Sequence, residues 1–420
     1  MYSKLKKLLY FPIAYYFRFF AFIQLKIWRP RIFVITGSSG KTTLLHLIES
    51  QLGDKARYSH KANSSFGIPF DILGLKRETL SKLEWPMLFL KAPLIAFKKP
   101  FSQKMYVVEA DCDRPFEGQF LGSFLKPEVT LWLDVSKTHT VNFGGEAKET
   151  GLSIEETVAH EFGYFGEFSQ KLVLVNGDDE EILKQVKRFK AETKQIKLKD
   201  LDSYKVEKNG TQFKISNEIY KFSQLLPKET FYAIAGAVEL LKYLEQETDP
   251  SFPEFELPPG RSSLFKGIKG TYLIDSSYNS NLSSMQAILE MFVQYPADKK
   301  WAVLSDMTEL GEEEEVEHQK LAQIISECEL EKVILMGPRM KKYTLEKLQE
   351  ISKVEVLAFD KPKEVLDFLE ENIKGGETIL FKGARFLEGV IEHLLLNKSD
   401  VSKLPRREAV WEKRRKDWGL

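Results

Sequence analysis

The chain has 420 residues, of which 43% are hydrophobic and 29% charged, and its 61 Lys and Arg are matched by 61 Asp and Glu. That length allows two or three domains with cores of their own, and the charge balance excludes a global basic field for nucleic acid. The two cysteines, Cys112 and Cys328, are far apart and carry no metal-ligand spacing, which points to a reduced, cytosolic compartment.

Residues 1–30 form an apolar and basic segment of their own. Leu8–Phe17 and Phe19–Ile23 are apolar and aromatic, and Arg18 interrupts them. Lys4, Lys6 and Lys7 precede the run, and Lys26, Arg29 and Arg31 follow it. The uncharged run is too short to cross a membrane, and no small-residue cleavage site follows it. Two readings stay open: an interfacial helix touching the inner face of a membrane through residues 4–31, or a helix packed on the protein's own surface.

Next comes Phe33-Val-Ile-Thr36-Gly37-Ser38-Ser39-Gly40-Lys41-Thr42-Thr43 and then a periodic apolar stretch to Leu52. A short strand running into a glycine turn and then a helix is the arrangement that cradles a nucleotide triphosphate. Gly37 and Gly40 permit the tight turn, and backbone N–H groups with the helix N-terminus meet the phosphates. Lys41 reaches the β- and γ-phosphates, and the Thr42 hydroxyl suits Mg²⁺. The first glycine of the general Walker pattern is missing, because position 35 is Ile.

From Arg31 to about Gln246, β-rich runs alternate with helical stretches. The spacing predicts strands at Arg31–Thr36, Met105–Glu109, Val129–Asp134 and Leu172–Asn176. Helices are predicted at Thr42–Leu52, Ser153–Phe168, Asp179–Phe189 and Thr230–Tyr243. Ser203–Phe222 reads as antiparallel strands around a Lys208-Asn-Gly210 turn. A linker with four prolines, Glu247–Gly260, marks a boundary. Beyond it Thr271–Asp275, Trp301–Leu304, Lys332–Met336, Val354–Ala358 and Thr378–Lys382 read as strands of a second unit. The fold class expected is α/β: a P-loop-type, mostly parallel sheet domain over residues 31–250, then a smaller, doubly wound Rossmann-like domain over 251–402. The Glu312–Glu315 run belongs in the first turn of a helix, and the basic tail 403–420 reads as a solvated helix.

Glu109 ends one strand, and His139 follows the end of another. A carboxylate and an imidazole there face the crevice where ligands bind, and their donors suit a divalent ion.

Together these segments resemble the Mur ligase family, and within it the MurF type, over roughly Arg31–Leu395. Gly37–Thr43 looks like that family's phosphate loop, which accounts for the missing glycine. Asn63, in Lys61-Ala-Asn63-Ser-Ser-Phe-Gly67-Ile-Pro69, is similar to its Asn-rich segment. Leu257-Pro-Pro-Gly260-Arg261 resembles its Gly-Arg signature, and Asp275-Ser-Ser-Tyr278-Asn279-Ser-Asn281 its nucleotide-holding Asp-Asp-x-Tyr-Asn-Ala-Asn segment. An Asx-rich turn capping a helix would also explain the last of these. Asp306-Met-Thr-Glu309 with His318, and Lys382-Gly-Ala-Arg385, resemble blocks on the side of the incoming amine.

The resemblance implies ATP and Mg²⁺ as cofactors, with Thr42, Glu109 and His139 as metal ligands. It implies small-molecule acid and amine substrates, a cell-wall precursor among them, and amide formation through an acyl phosphate. Arg261 and Asn279 would come onto the nucleotide by domain closure. Three departures accompany it. Phe162 stands where the family has a carbamylated lysine, so Glu161 or His160 substitutes or the second metal is held differently. Ser276 replaces one of the paired aspartates. The thirty or so residues ahead of the loop are too few for the family's N-terminal UDP-binding domain, which is therefore expected to be missing. The first two motivate an alternative reading, a nucleotide-binding scaffold without catalysis.

Overall fold

The computed structural model describes residues 2–60, 62–77, 82–98, 101–137, 140–383 and 386–420. They divide into two compact units. The first comprises Met1–Ser136, Gly145–Leu198 and Tyr232–Asp249, and the second Lys137–Gly144, Lys199–Phe231 and Pro250–Leu420.

In the first unit α1 (Tyr2–Trp28) leads into β1 (Arg31–Thr36), whose Ile32–Ile35 are all buried. An uninterrupted apolar run is what a strand covered on both faces requires. The chain continues through α2 (Lys41–Leu52), β2 (Ala56–Tyr58), α3 (Gly67–Leu73), α4 (Trp85–Ala96), β3 (Met105–Glu109), α5 (Glu117–Leu125) and β4 (Val129–Trp132). Then follow α6 (Thr140–Thr150), which belongs to this unit from Gly145 on, α7 (Ile154–Glu167), β5 (Leu172–Asn176), α8 (Glu180–Gln185) and β6 (Glu192–Ile196). The six strands are parallel, in the order β2-β3-β1-β4-β5-β6. The chain leaves β1 toward one edge and later returns to its other side, so the carboxyl end of β1 is a switch point where a crevice opens.

Local chemistry sets the helix starts. Ser153 and Glu156 form a reciprocal capping box at α7, and Asp179 accepts from the amides of Glu181 and Ile182 at α8. α1 buries one face, with Ala14, Phe17, Ala21, Leu25 and Trp28, in the first unit. Among the described residues no helix is long and apolar enough to cross a membrane.

In the second unit β7 (Leu201–Glu207), β8 (Gly210–Ile215) and β9 (Glu218–Phe222) form an antiparallel sheet that turns at Lys208-Asn-Gly210. This sheet precedes the proline-rich linker in sequence, yet Val206 and Leu225 join the second unit's core beside Ile274, Met285 and Phe292. α9 (Thr230–Tyr243) follows and, from Tyr232 on, belongs to the first unit. The main sheet comprises β10 (Ser263–Lys266), β11 (Tyr272–Ser276), β12 (Lys299–Ser305), β13 (Lys332–Met336), β14 (Glu355–Phe359) and β15 (Glu377–Lys382). Their order is β10-β11-β15-β12-β13-β14, with β10 antiparallel and the rest parallel. Helices α10 (Leu282–Gln294), α11 (Glu314–Ser326), α12 (Glu346–Ile351), α13 (Pro362–Asn372) and α14 (Leu387–Leu394) belong to this unit, which has two apolar cores. Glu314, Glu315 and Glu317 occupy the first turn of α11, where the helix dipole favours them.

The tail is a largely exposed helix, as expected, and is anchored at a few points. α15 (Ala409–Asp417) lies on this unit, with the Trp411 and Trp418 rings 6.2 and 6.1 Å from Phe386. Arg415 is buried, donates to Arg406 O at 2.6 Å and lies 3.9 Å from Glu388. The reason is Glu388 on α14: a buried carboxylate needs cations, and Arg406 and Arg415 bring them from the tail.

Candidate active site

The loop between β1 and α2 sits at the switch point. Gly37 has φ 131° and Gly40 φ 79°, both in the region that glycine enters without strain. A Cβ on Gly37 would lie 2.9 Å from Asp134 Oδ1, so the close approach to β4 also demands glycine. Asp134 shapes the loop from that side. Its Oδ1 accepts from Ser39 N at 2.7 Å and its carbonyl from Ser38 N at 3.3 Å. Burial pushes the Asp134 carboxyl up to about 7, against the pull of the Ser39 amide and of Lys41.

Lys41 is buried at the base of the loop. Its Nζ lies 2.9 Å from Asp111 Oδ2, and it also donates to the carbonyls of Gly37 and Ser38. Burial alone would lower the ammonium's pKa, but Asp111, Glu109 and Asp134 outweigh it and hold it above its usual value. Next to Lys41, Thr42 Oγ1 donates to Glu109, 3.0 Å from Oε2. The Glu109 amide is pinned by Ser59 Oγ at 2.9 Å. Asn63 joins this group through its carbonyl, which accepts from Asp111 N at 2.8 Å. Hydroxyl and carboxylate oxygens side by side are a hard donor set that fits Mg²⁺. His139, the third expected ligand, lies outside the described residues, as does Arg385.

Among the described residues, one group of three side chains could converge on a metal ion: His46, Glu49 and His60. It is half-exposed and nitrogen-rich, a chemistry different from an oxygen-bound Mg²⁺.

The position expected to carry a metal-binding lysine is plain core. Phe162 is fully buried, its ring 6.3 Å from that of Trp132. Its two suggested substitutes each have other partners in the fold. Glu161 spends both oxygens on the start of α5, accepting from Phe116 N at 3.0 Å and Gly118 N at 2.8 Å, and burial pushes it up to about 7. The Nδ1 of His160 faces the Arg188 guanidinium at 3.3 Å, a cation that repels metal.

In the second unit the carboxyl ends of β11, β15 and β12 stand side by side. Arg261 lies 4.9 Å over the Tyr278 ring. Lys382 Nζ donates to Asn279 O at 2.7 Å, and burial with Arg261 nearby pushes its ammonium down to about 7. Asp275 is buried and accepts from Ser277 N at 2.9 Å; burial raises its pKa. Glu309 is exposed, in a left-handed turn at φ 66°.

Three of the expected ligand residues have partners within the fold. Asn281 is the N-cap of α10, accepting from Ser284 N at 2.8 Å. Asp306 is buried, accepts from Met340 N at 2.9 Å and pairs with Arg339 at 3.4 Å. His318 is fully buried: Nδ1 donates to Glu314 O at 2.7 Å and Nε2 accepts from Met307 N at 3.3 Å. That pattern is a neutral imidazole, and burial lowers its pKa.

Asp111 and Asp134 were not anticipated. Both follow the ends of strands flanking β1, which is the signal that marks them: an acid just past a strand that borders a glycine loop.

A glycine loop at the switch point of a parallel sheet, with a buried lysine and carboxylates from both neighbouring strands, defines a P-loop nucleotide-binding α/β protein. Comparison with known proteins narrows the class. The family model for the Mur ligase, glutamate ligase domain matches residues 260–385. The chain is similar to the UDP-N-acetylmuramoyl-tripeptide–D-alanyl-D-alanine ligase of Bacillus subtilis (strain 168), 24% identical over 377 residues, covering 87% of this chain and 76% of that one. It is also similar to the ligase of the same name from Escherichia coli (strain K12), 23% identical over 342 residues, 76% of this chain and 68% of that one. Among solved structures, the MurF ligase from Thermotoga maritima in complex with ADP superposes with a TM-score of 0.71 at 21% identity, over 93% of this chain and 84% of that one. Folylpolyglutamate synthase from Mycobacterium tuberculosis superposes with a TM-score of 0.57 at 10% identity, over 90% and 94%. Residues 260–385 are a Mur ligase-type domain, and the chain has the fold of the Mur ligases.

Proposed function

We propose that this protein is an ATP-dependent ligase of the MurF type, joining an acid to an amine in the assembly of a cell-wall peptide precursor. The observation that carries this reading is the arrangement around Lys41. A phosphate loop, a buried cation and the Thr42–Glu109 oxygen pair stand together in a chain similar to MurF ligases over most of its length.

Lys41 turns from Asp111 toward the β- and γ-phosphates, and the amides of Ser39–Thr42 meet the phosphate oxygens. Thr42 and Glu109, with His139, would hold Mg²⁺, which supplies neutralisation of phosphate charge when bound. The substrate carboxylate attacks the γ-phosphorus, giving an acyl phosphate and ADP. The amine then attacks the acyl carbon, the C–O bond to phosphate breaks, and inorganic phosphate leaves as the amine loses its proton. The protein's part is positioning and charge compensation. Arg261, Tyr278 and Asn279 are assigned to the nucleotide, and Lys382 to the amine's side of the reaction.

The test is incubation with ATP, Mg²⁺ and a panel of acid and amine pairs, UDP-linked and lipid-linked acceptors included. ADP and phosphate release that needs both substrates supports the reading. ATP binding without turnover across the panel overturns it.

A further inference from the structure

Two helices of the first unit turn apolar side chains to solvent along most of their length. α1 presents Tyr15, Phe19 and Phe22, spaced i, i+4 and i+7 so that they form one stripe away from its buried face, with Leu9 exposed nearer its start, and Phe19 is 59% exposed. α4 packs beside α1: Tyr16 donates to Phe89 O at 2.7 Å, and the Phe17 and Phe89 rings are 5.1 Å apart. The outer face of α4 is apolar too, with Met87, Leu90 and Leu94, and with Leu83 and Phe97 at its ends. Leu90 and Leu94 are 68% and 70% exposed. Apolar surface on this scale marks an interaction site.

The charge that interrupts the apolar run of α1 in sequence does not interrupt the stripe in space. Arg18 is turned to α5, donating to Phe120 O at 2.8 Å and Ser123 Oγ at 3.0 Å. The exposed charges that do accompany these faces are cations. Lys26 Nζ lies 5.2 Å from the Phe22 ring, Lys91 is exposed on α4, and Lys98 is exposed just past its end. Tyr2–Trp28 and Trp85–Lys98 contain no Asp or Glu, in a chain whose charges otherwise cancel.

We propose that the exposed faces of α1 and α4 dock the protein on an anionic phospholipid bilayer. Their apolar side chains enter the headgroup–acyl boundary, and Lys26, Lys91 and Lys98 lie among the lipid phosphates. Charge selects this occupant. A second copy of the chain, joined by a two-fold contact, would set a patch of cations against itself. The docking is separate from the catalytic reading and does not depend on it.

The full chain is sedimented with vesicles of phosphatidylcholine alone and of phosphatidylcholine mixed with phosphatidylglycerol. Binding to the mixed vesicles should exceed binding to the neutral ones by about ten-fold or more at low salt and weaken as salt is added. Leu90→Glu with Leu94→Glu should lower binding by about ten-fold or more, as should Phe19→Glu with Phe22→Glu, with unfolding and ADP binding unchanged. These side chains face solvent, and the unfolding curve confirms that the fold survives. Lys91→Glu with Lys98→Glu, which keeps the apolar residues, should erase the preference for anionic lipid. The proposal is overturned if the parent chain stays in the supernatant at every lipid concentration, or if the acidic variants bind as well as the parent. It is equally overturned if the patch instead closes a dimer that those variants dissociate.

Discussion

Lys41 Nζ stands 2.9 Å from Asp111 Oδ2, and both side chains are largely buried. The cation of the phosphate loop is therefore held by a carboxylate that follows the neighbouring strand β3. Removing one member of such a pair leaves a buried charge uncompensated. Lys41→Met should destabilise the protein by about 3–5 kcal/mol and abolish ADP binding. Lys41→Met with Asp111→Asn should regain most of that stability without regaining ADP binding. Thermal unfolding and a nucleotide titration separate the two effects; a double variant as unstable as the single one would refute the pairing.

Asp134 makes stability depend on pH. Its folded-state pKa is raised to about 7 from the ordinary 3.8, so the folded chain binds its proton more tightly than the unfolded chain. The contribution is therefore fully present below the ordinary value and is lost as pH rises through about 7. Asp134→Asn keeps an oxygen for the Ser39 amide and removes the buried charge. Relative to the parent it should gain up to about 2–3 kcal/mol between about pH 5 and pH 8. Denaturant unfolding at the two pH values measures this, and a difference that shrinks with pH contradicts it.

Phe162→Lys, which restores the family's residue type, should destabilise by about 3 kcal/mol or more, because the ammonium would replace a core ring beside Trp132 without a partner. Glu161→Gln should cost about 1–2 kcal/mol, since one of its two amide contacts at α5 is lost. Turnover of the folded Glu161→Gln protein should stay near that of the parent. A hundred-fold fall at unchanged stability would make Glu161 a metal ligand after all.

His318 bridges the Met307 amide and the Glu314 carbonyl in the second unit's interior. His318→Leu should cost about 2–3 kcal/mol and leave KM for acid and amine unchanged below the unfolding range. Kinetics alongside thermal unfolding decide it: a large rise in the KM for the amine with little loss of stability would return His318 to the substrate.

Much of the architecture was legible because its signals are local. β1, β3 and β5 are continuous apolar runs whose bounds agree with those read from sequence. Three strands were not legible. β2 is only Ala56–Tyr58, β6 is a polar edge of Glu192–Ile196, and β10 is an antiparallel edge strand. Edge strands bury little, so their sequences carry weak patterns. The loop Gly37–Thr43 was recognisable from residue order alone. Asn281 and His318 were not separable from ligands in sequence, because a cap or a satisfied core histidine uses the same residue types as a binding site.

Residue order alone carries the phosphate loop, the alternation of strands and helices and the proline-rich boundary. Each of these depends on neighbours within a few residues. What holds Lys41, why Phe162 is core and where Arg18 points depend on the folded chain. Asp111 is seventy residues from Lys41 in the chain and reaches it only because β3 pairs with β1. Arg18 divides an apolar run when read along the chain, yet it lies off the exposed stripe, because a helix sends successive residues to different faces and α5 supplies acceptors on that one.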